Sequence, residues 1–170
     1  MKKARHLYGL TGRSGAWRSS LRSTALPCRS VSAADTEALA ALMHAGYLAT
    51  IDDEGGSLAD ALTEMREFFD GKYDAPLPEA YVAIERDECT LAAALMCDWN
   101  ERHQAVAGPS VAFVLVHPSV RGQGLGMHVM NTALTHLADV RWGRAFAVIT
   151  EGNTPSEALF GKLGFRRIPD

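Results

Sequence analysis

The sequence predicts an α/β protein in which helices pack on one mixed β-sheet. Three observations indicate this class. The chain has 170 residues, of which 47% are hydrophobic, enough for one domain with a substantial core. Short apolar runs of strand character alternate with segments whose apolar residues recur every three or four positions, as in amphipathic helices. One apolar run continues directly into a glycine-rich turn and a helical pattern, which is typical of α/β domains that bind an anion.

The first residues differ in composition from the rest of the chain. Residues 1–30 contain seven basic residues and no acidic residue, and residues 1–23 show little apolar periodicity. We therefore expect residues 1–23 to be a disordered basic extension and residues 24–170 to form a single domain. A basic, acid-poor start also occurs in transit peptides. Nucleic-acid binding is disfavoured because aromatic and basic residues are not interleaved here.

A strand near residues 23–31 and two helices are expected first. Ser32 and Ser57 each precede an apolar stripe of helical spacing, and each is followed three residues later by an aspartate, which is the pattern of a helix N-cap. Gly46 is expected to end the first helix. The loop between the two helices is acidic and contains a pair of glycines.

The second half of the chain has the pattern of several strands with two intervening helices. Runs rich in strand-forming residues at positions 81–84 and 89–99 flank a polar turn and predict a hairpin. A short buried strand is expected at residues 145–150. Thr154 then has the position of an N-cap followed by a proline, and a last strand begins after that helix. The predicted element order is β-α-α-β-β-β-α-β-α-β.

The apolar run at residues 111–116 leads into the glycine-rich turn, whose sequence is Arg-Gly-Gln-Gly-Leu-Gly. Glycines allow a backbone to approach a ligand, and the first N–H groups of the following helix have no partner inside it. The spacing excludes two common phosphate loops. A P-loop needs Lys and then Ser or Thr after the last glycine, where this chain has Met127 and His128. The dinucleotide fingerprint needs a third glycine at the position of Met127.

The remaining pattern, R-x-x-G-x-G preceded by V-x-P, resembles the acyl-CoA pyrophosphate loop of the GNAT acetyltransferase superfamily. Residues 153–165, NTPSEALFGKLGF, resemble the second GNAT signature, an Asn followed by a helix that ends in A-L-Y-x-K-L-G-F. The resemblance covers roughly residues 24–168. It implies a GNAT-like acyl-CoA N-acyltransferase fold, with acetyl-CoA as co-substrate.

The resemblance implies a cofactor site residue by residue. Val114, Leu115 and Val116 would run beside the pantetheine arm, and the backbone amide of Val116 would donate to the thioester carbonyl and stabilise the oxyanion. Asn153 would bond the arm or its neighbouring backbone, and Phe160 is counted among the cofactor-binding residues. The pyrophosphate would be held by the turn and the start of its helix, at Arg121, Gly122, Gln123, Gly124, Leu125, Gly126 and Met127.

The implied reaction is direct transfer of an acetyl group to a primary amine of a small molecule or peptide. Such an amine attacks only when neutral, so a base or a water chain must take its proton. Glu151 or His117 is the candidate base, with Asp98 and Glu85 as further candidates. Many GNAT proteins carry a Tyr as general acid where this chain has Phe160, which cannot donate a proton.

The acceptor would bind near the acidic loop between the first two helices. Tyr47, Asp52, Asp53 and Glu54 are the candidate contacts. Residues 35–101 contain 16 acidic and three basic residues, whereas residues 102–170 contain four acidic and seven basic residues. The acidic part would suit a cationic acceptor and the basic part a polyphosphate ligand.

The chain ends soon after the predicted sixth strand. In the GNAT family a seventh strand inserts between the fifth and sixth and helps to wall the acceptor site, so we expect a GNAT-like fold that lacks this last strand. Two alternatives to an active enzyme follow: a non-catalytic acyl-CoA-binding or interaction module, or a truncated and inactive GNAT protein.

Other features of the sequence limit which partners and which cellular compartment are expected. Three cysteines are too few for a disulfide framework, which indicates a reducing, cytoplasmic environment. No apolar run is long enough for a membrane span, so no membrane partner is expected. The histidines and cysteines show no metal-ligand spacing, so no metal is expected. The sequence leaves a homodimer open.

Overall fold

A computed structural model of the protein describes residues 3–11, 26–99, 106–139 and 143–169. The strands are β1 (Arg5–Thr11), β2 (Cys28–Ser30), β3 (Ala75–Pro76), β4 (Val82–Arg86), β5 (Cys89–Trp99), β6 (Gly108–Val116), β7 (Arg144–Thr150) and β8 (Arg166–Arg167). The helices are α1 (Thr36–Tyr47), α2 (Leu58–Phe69), α3 (Leu125–Asp139) and α4 (Thr154–Lys162). All eight strands form one sheet, so the predicted mixed α/β class is confirmed.

The sheet has the order β2-β4-β5-β6-β7-β1-β8, with β3 pairing beside β5. Neighbouring strands are antiparallel except β6 and β7, which are parallel. These two strands pair only at Ser110 and Phe146, and we call the unpaired stretch that follows, up to the carboxyl ends of both strands, the gap between β6 and β7. The register of β5 with β6 shifts between Leu95 and Met96, a β-bulge where β6 borders the gap.

The first strand corrects the expected disordered extension. Residues 5–11 pair with β7 along their whole length and also contact β8, where the Ile168 N–H donates to the Leu7 carbonyl at 2.8 Å. The alternation of Tyr8 and Leu10, whose side chains pack against the core, supplies the physical reason. The prediction was therefore wrong for residues 5–11, while residues 1–2 and 12–23 lie outside the described part of the chain. The place that the resemblance assigns to a seventh strand is filled by β1.

The two faces of the sheet carry separate hydrophobic clusters. One cluster packs α3 and α4 against alternate residues of β4 to β7. The other packs α1 and α2 against the opposite residues of β4, β5 and β6. Phe68 of α2 is its aromatic centre, with the rings of Tyr81 and Phe113 at 5.3 and 5.6 Å. The sheet therefore separates two helical layers, α3 and α4 on one face and α1 and α2 on the other.

Local signals position the helix ends with two exceptions. Ser32 and Ser57 form the predicted capping boxes, although Ser32 caps a short 3₁₀ turn just before α1. Gly46 lies inside α1, which ends at Tyr47. Asn153, rather than Thr154, caps α4. None of the described helices is both long and apolar enough to cross a membrane.

Candidate active site

The gap between β6 and β7 exposes backbone donors. The His117 N–H donates to the Leu91 carbonyl of β5 at 2.8 Å. Because hydrogen-bonding direction alternates along a strand, the N–H groups of Val114 and Val116 point away from β5, toward the gap, while the N–H of Leu115 faces β5. A ligand amide chain lying in the gap could therefore pair with β6 as an added strand would.

Two glycines let helices close on this edge. A side chain added at Gly46 of α1 would place its Cβ 3.5 Å from the Val116 carbonyl oxygen. A Cβ at Gly126 of α3 would lie 3.2 Å from Cγ2 of Val116 and 3.7 Å from Cδ2 of Leu159 in α4. Without side chains at these two positions, α1 and α3 approach the unpaired edge of β6 at Val116, and we call this edge, between Gly46 and Gly126, the slot.

The glycine turn joins β6 to α3 with its backbone turned outward. Gly122 and Gly124 have φ values of +76° and +83°, which only glycine adopts without strain. The first helical bond runs from the His128 N–H to the Gly124 carbonyl at 3.0 Å, so the N–H groups of the first turn of α3 are left without helical partners. The predicted pyrophosphate-binding residues thus surround an electropositive helix end.

Arg121 ties this turn to α1. One guanidinium nitrogen, Nη2, donates to the Gly46 carbonyl at 2.6 Å. The side chain therefore caps the last turn of α1 and holds it beside the slot. Gln123 and Met127 complete the predicted set; Gln123 is exposed and Met127 packs partly against the core cluster of α3 and α4.

The residues of the second signature are engaged with the protein itself. The Asn153 side chain accepts the Ser156 N–H at 3.1 Å and donates to Oδ2 of Asp52 at 2.6 Å. It thereby links the start of α4 to the α1–α2 loop. Phe160 is 3% exposed, and its ring lies 5.0 Å from that of Phe165. The sequence prediction that these two residues contact the cofactor stays a prediction.

The four candidate bases differ in position. Nδ1 of His117 is hydrogen-bonded to the hydroxyl of Ser119 at 2.8 Å and accepts the Ser119 N–H at 3.3 Å, so it caps the short turn that follows β6. Asp98 pairs with Pro109 at the far end of β6, and burial followed by the charge of Asp74 raises its pKa. Glu85 binds Arg29, which lowers the pKa of its carboxyl. Glu151 alone adjoins the carboxyl end of β7.

Glu151 contacts Ala4 and His6, two residues at the start of the chain that the sequence did not indicate as part of the site. Its N–H donates to the Ala4 carbonyl at 2.9 Å, and its side chain, 67% exposed, lies 3.9 Å from Nε2 of His6. Nδ1 of His6 is 2.8 Å from Nη2 of Arg167. Since Arg always donates, Nδ1 accepts and the His6 proton is on Nε2, toward Glu151.

The predicted acceptor residues mostly hold the α1–α2 loop together. Asp53 accepts the N–H groups of Gly55 and Ala49 at 2.8 and 2.7 Å, and these bonds lower its pKa. Glu54 contacts Arg5 at 3.5 Å. Burial, and then the charges of Glu64 and Asp52, raises the pKa of Tyr47.

Glu64 and Tyr73 were missed by sequence reasoning. The Tyr73 hydroxyl donates to Oε1 of Glu64 at 2.6 Å, and its ring lies 5.5 Å from Phe113 of β6. The only sequence signal for Glu64 was its place beside the apolar stripe of α2, and acidic residues on the protein surface have the same pattern. Among the described residues, no group of three or more His, Cys, Asp or Glu side chains is placed to hold a metal ion.

Comparisons with known proteins agree with this geometry. Residues 89–170 match the protein family described as FR47-like protein. A curated mycothiol acetyltransferase of Catenulispora acidiphila is 35% identical in an alignment of 74 residues that covers 41% of this chain and 24% of that protein. The chain thus spans about a quarter of the length of this relative.

Solved structures share the fold at low sequence identity. PH1933 from Pyrococcus horikoshii OT3 superposes with a TM-score of 0.69 at 13% identity, covering 85% of this chain and 91% of that one. AAC(6')-Iy, solved in complex with the bisubstrate analogue CoA-S-monomethyl-acetylneamine, gives a TM-score of 0.62 at 13% identity, covering 86% and 95%.

Proposed function

We propose that the chain is a GNAT-type acyl-CoA-dependent N-acyltransferase, which the match of residues 89–170 to the FR47-like family and the similarity to a curated mycothiol acetyltransferase support. It transfers acetyl from acetyl-CoA to a primary amine of a small molecule or peptide by direct transfer. The observation that carries the proposal is the slot beside β6, where the N–H groups of Val114 and Val116 face the gap next to the glycine turn. A polar arm ending in a pyrophosphate matches this sequence of donors.

Acetyl-CoA is proposed as the co-substrate because each part of it has a matching group. The first turn of α3 offers N–H groups for the pyrophosphate, and the slot between Gly46 and Gly126 offers the N–H of Val116 to an amide of the pantetheine arm. AAC(6')-Iy, which shares the fold, is named as a complex with a CoA-containing analogue. The proposal therefore predicts that CoA binds at the same place in this protein as in AAC(6')-Iy.

The backbone supplies the stabilisation of the reacting carbonyl. As the amine nitrogen bonds to the thioester carbon, the carbonyl electrons move to oxygen, and an N–H directed into the gap stabilises that charge. The amide of Val116 is the predicted donor, and that of Val114 faces the same way. Collapse of the intermediate breaks the carbon–sulfur bond and expels CoA as a thiolate. A thiolate is a tolerable leaving group because thiols have pKa values of about 8.5.

Proton removal is assigned to Glu151. Its carboxylate is exposed at the carboxyl end of β7, so it can take a proton from the acceptor's ammonium group, directly or through water, before the neutral amine attacks. Replacement of Glu151 by Gln is expected to lower kcat by about 100-fold with little change in the KM for acetyl-CoA. Glu88→Gln, at the exposed β4–β5 turn, is the matched control; equal kcat in both variants would contradict the assignment.

The charge of the acceptor and the cellular location of the protein are also part of the proposal. Glu151 is an exposed carboxylate at the carboxyl end of β7, which favours a cationic acceptor. The three cysteines are free, which supports a reducing cytoplasmic location.

A non-catalytic acyl-CoA-binding module is the second candidate. The burial of Phe160 at the family's Tyr position favours it, because no phenol stands there to protonate the leaving thiolate.

One experiment separates the two functions. The protein is incubated with acetyl-CoA and a panel of primary amines, free thiol is followed with a colorimetric reagent, and CoA binding is measured by calorimetry. The proposed function predicts binding together with amine-dependent thiol release above an amine-free control. Binding without release for any amine would support the module, and absence of binding would exclude both.

A further inference from the structure

The amino-terminal strand reaches the acceptor side of the gap. β1 lies directly beside β7, and its first residues are level with the carboxyl end of β7, since Arg5 pairs with Thr150. The bond from the Glu151 N–H to the Ala4 carbonyl extends this pairing past the end of the strand. The start of the described chain therefore adjoins the proposed base.

Side-chain alternation directs β1 toward two different faces. Tyr8 and Leu10 pack with the cluster beneath α3 and α4. Because successive side chains point to opposite faces, Arg5 and Leu7 project to the face that carries α1 and α2. This is the face on which the α1–α2 loop lies.

Two cations of this segment fasten the α1–α2 loop. The ammonium of Lys3 donates to the Ile51 carbonyl. Nη2 of Arg5 lies 3.5 Å from Oε1 of Glu54, with the two side chains 61% and 81% exposed. The bond between Asn153 and Asp52, at 2.6 Å, holds the loop from the β7–α4 turn. The loop is thus fixed from two directions over the carboxyl end of β7.

We infer that residues 3–11 form a wall of the acceptor site, in which Lys3 and Arg5 are positioning residues that hold the α1–α2 loop and so set the affinity for the amine. This inference rests on the proposed function. Arg5 acts through Glu54 and the loop, and it touches neither the thioester nor the proposed base. Its loss should therefore change the binding of the amine and leave the binding of acetyl-CoA unchanged.

The test compares Arg5→Ala, Glu54→Ala and the double variant in steady-state kinetics. An exposed ion pair contributes little to stability, so these variants should fold. Each single variant is expected to raise the KM for the amine about two- to fivefold, the range of one exposed pair. The double variant should show no further rise, because both changes remove the same contact. The KM for acetyl-CoA should not change.

Arg86→Ala is the matched control. Arg86 is an exposed arginine at the β4–β5 turn, on a strand four positions from β1 in the sheet, and its loss should leave both KM values unchanged. Hydrogen exchange supplies a readout that does not need turnover. The amides of Ala49 and Gly55 in the loop should exchange faster in Arg5→Ala than in the wild-type protein or in Arg86→Ala.

The outcomes separate this inference from the proposed function. If the wild-type protein acetylates an amine but folded Arg5→Ala shows an unchanged amine KM, the inference is overturned and the function stands. Equal changes in the KM values of amine and acetyl-CoA would also overturn it. If the wild-type protein acetylates no amine, the proposed function falls together with the inference.

Discussion

The proposed cofactor half of the site and its proposed acceptor half differ in how far apart their parts lie in the sequence. The cofactor half consists of β6, the glycine turn and the start of α3, a continuous stretch that offers mainly backbone groups. The acceptor half combines the start of β1, the α1–α2 loop and the β7–α4 turn. A contiguous backbone site depends on local conformation, whereas the acceptor half exists only once the sheet has formed.

The acceptor half can change its side chains without altering the backbone groups proposed to bind acetyl-CoA. The slot beside β6 depends on glycines and on the direction of strand N–H groups, which side-chain changes elsewhere do not alter. The acceptor half depends on side-chain ties such as Arg5 to Glu54 and Asn153 to Asp52. We expect substitutions in the acceptor half to change the amine accepted while the binding of acetyl-CoA is retained.

Deleting residues 1–11 is expected to have the largest effect. It removes an interior strand of the sheet, leaves β8 and the outer edge of β7 unpaired, and exposes the core beneath Tyr8 and Leu10. Since a domain is stable by only about 5–15 kcal/mol, the truncated chain should lose its cooperative thermal transition, measured by circular dichroism. Arg5→Ala, which keeps the strand, should retain it. A truncated chain that unfolds at the wild-type midpoint would show that the acceptor half does not need β1.

Gly124→Ala should have an intermediate effect confined to the cofactor half. At a φ of +83° an added side chain costs about 1–2 kcal/mol, which the turn would relieve by moving its N–H groups. We expect the Kd for acetyl-CoA, measured by calorimetry, to rise about tenfold. Gly161→Ala is the control, because Gly161 lies in α4 with no atom within 4 Å of an added Cβ. Equal affinities in the two variants would argue against the turn as the pyrophosphate site.

The smallest effect is expected at the edge of the sheet, outside both halves. Arg29 contacts Asp35 and Glu85. Its hydrogen bond lowers the pKa of Glu85; for Asp35, partial burial alone would raise the pKa, but bonds from Arg29 and the Ser32 N–H lower it. Carboxyls with lowered pKa values stabilise the fold above their unfolded pKa values, and this contribution disappears as the pH falls through the folded values.

Arg29→Met should therefore reduce the loss of stability on acidification. Its free energy of unfolding at neutral pH should fall by less than about 1 kcal/mol, since the side chains are partly exposed. Between about pH 5 and pH 3, near the ordinary carboxyl range, its stability should decline less than that of the wild-type protein in urea titrations. Parallel curves would show that the pair does not contribute, and a changed amine KM would show that the edge is coupled to the acceptor half.

The conformation of the glycine turn was predictable from sequence because its signals are local. The apolar run before the turn, the glycines at positions 122 and 124, and the helical spacing after it all lie between residues 111 and 137. Positive φ values at Gly122 and Gly124 are a property that glycine itself indicates. The place of Gly46 was less evident, because its function is to admit the backbone of Val116 and not to end a helix.

The acceptor half could not be predicted in the same way. β1 pairs with residues that follow it by more than 130 positions, and its own alternation is too short to separate a strand from a basic tail. The tie between Asn153 and Asp52 joins two residues 101 positions apart. The loop acids were predicted as acceptor contacts, but only the fold shows that Asp53 holds its own loop and that Glu54 faces Arg5.

A cysteine cross-link between Leu7 and Val148 tests the central claim, that β1 belongs to the site wall. The bond from the Glu151 N–H to the Ala4 carbonyl makes Leu7 and Val148 a non-hydrogen-bonded pair, whose Cα atoms lie about 4.5 Å apart, within disulfide range. The pair is introduced with the exposed Cys89 replaced by Ser, and Leu7→Cys with Ala147→Cys, on opposite faces, is the control. Mild oxidation should give an intrachain disulfide in the first variant only, detected by peptide mass mapping, and this variant should retain acetyl-CoA binding. No cross-link, or one formed only between two chains, would contradict the account.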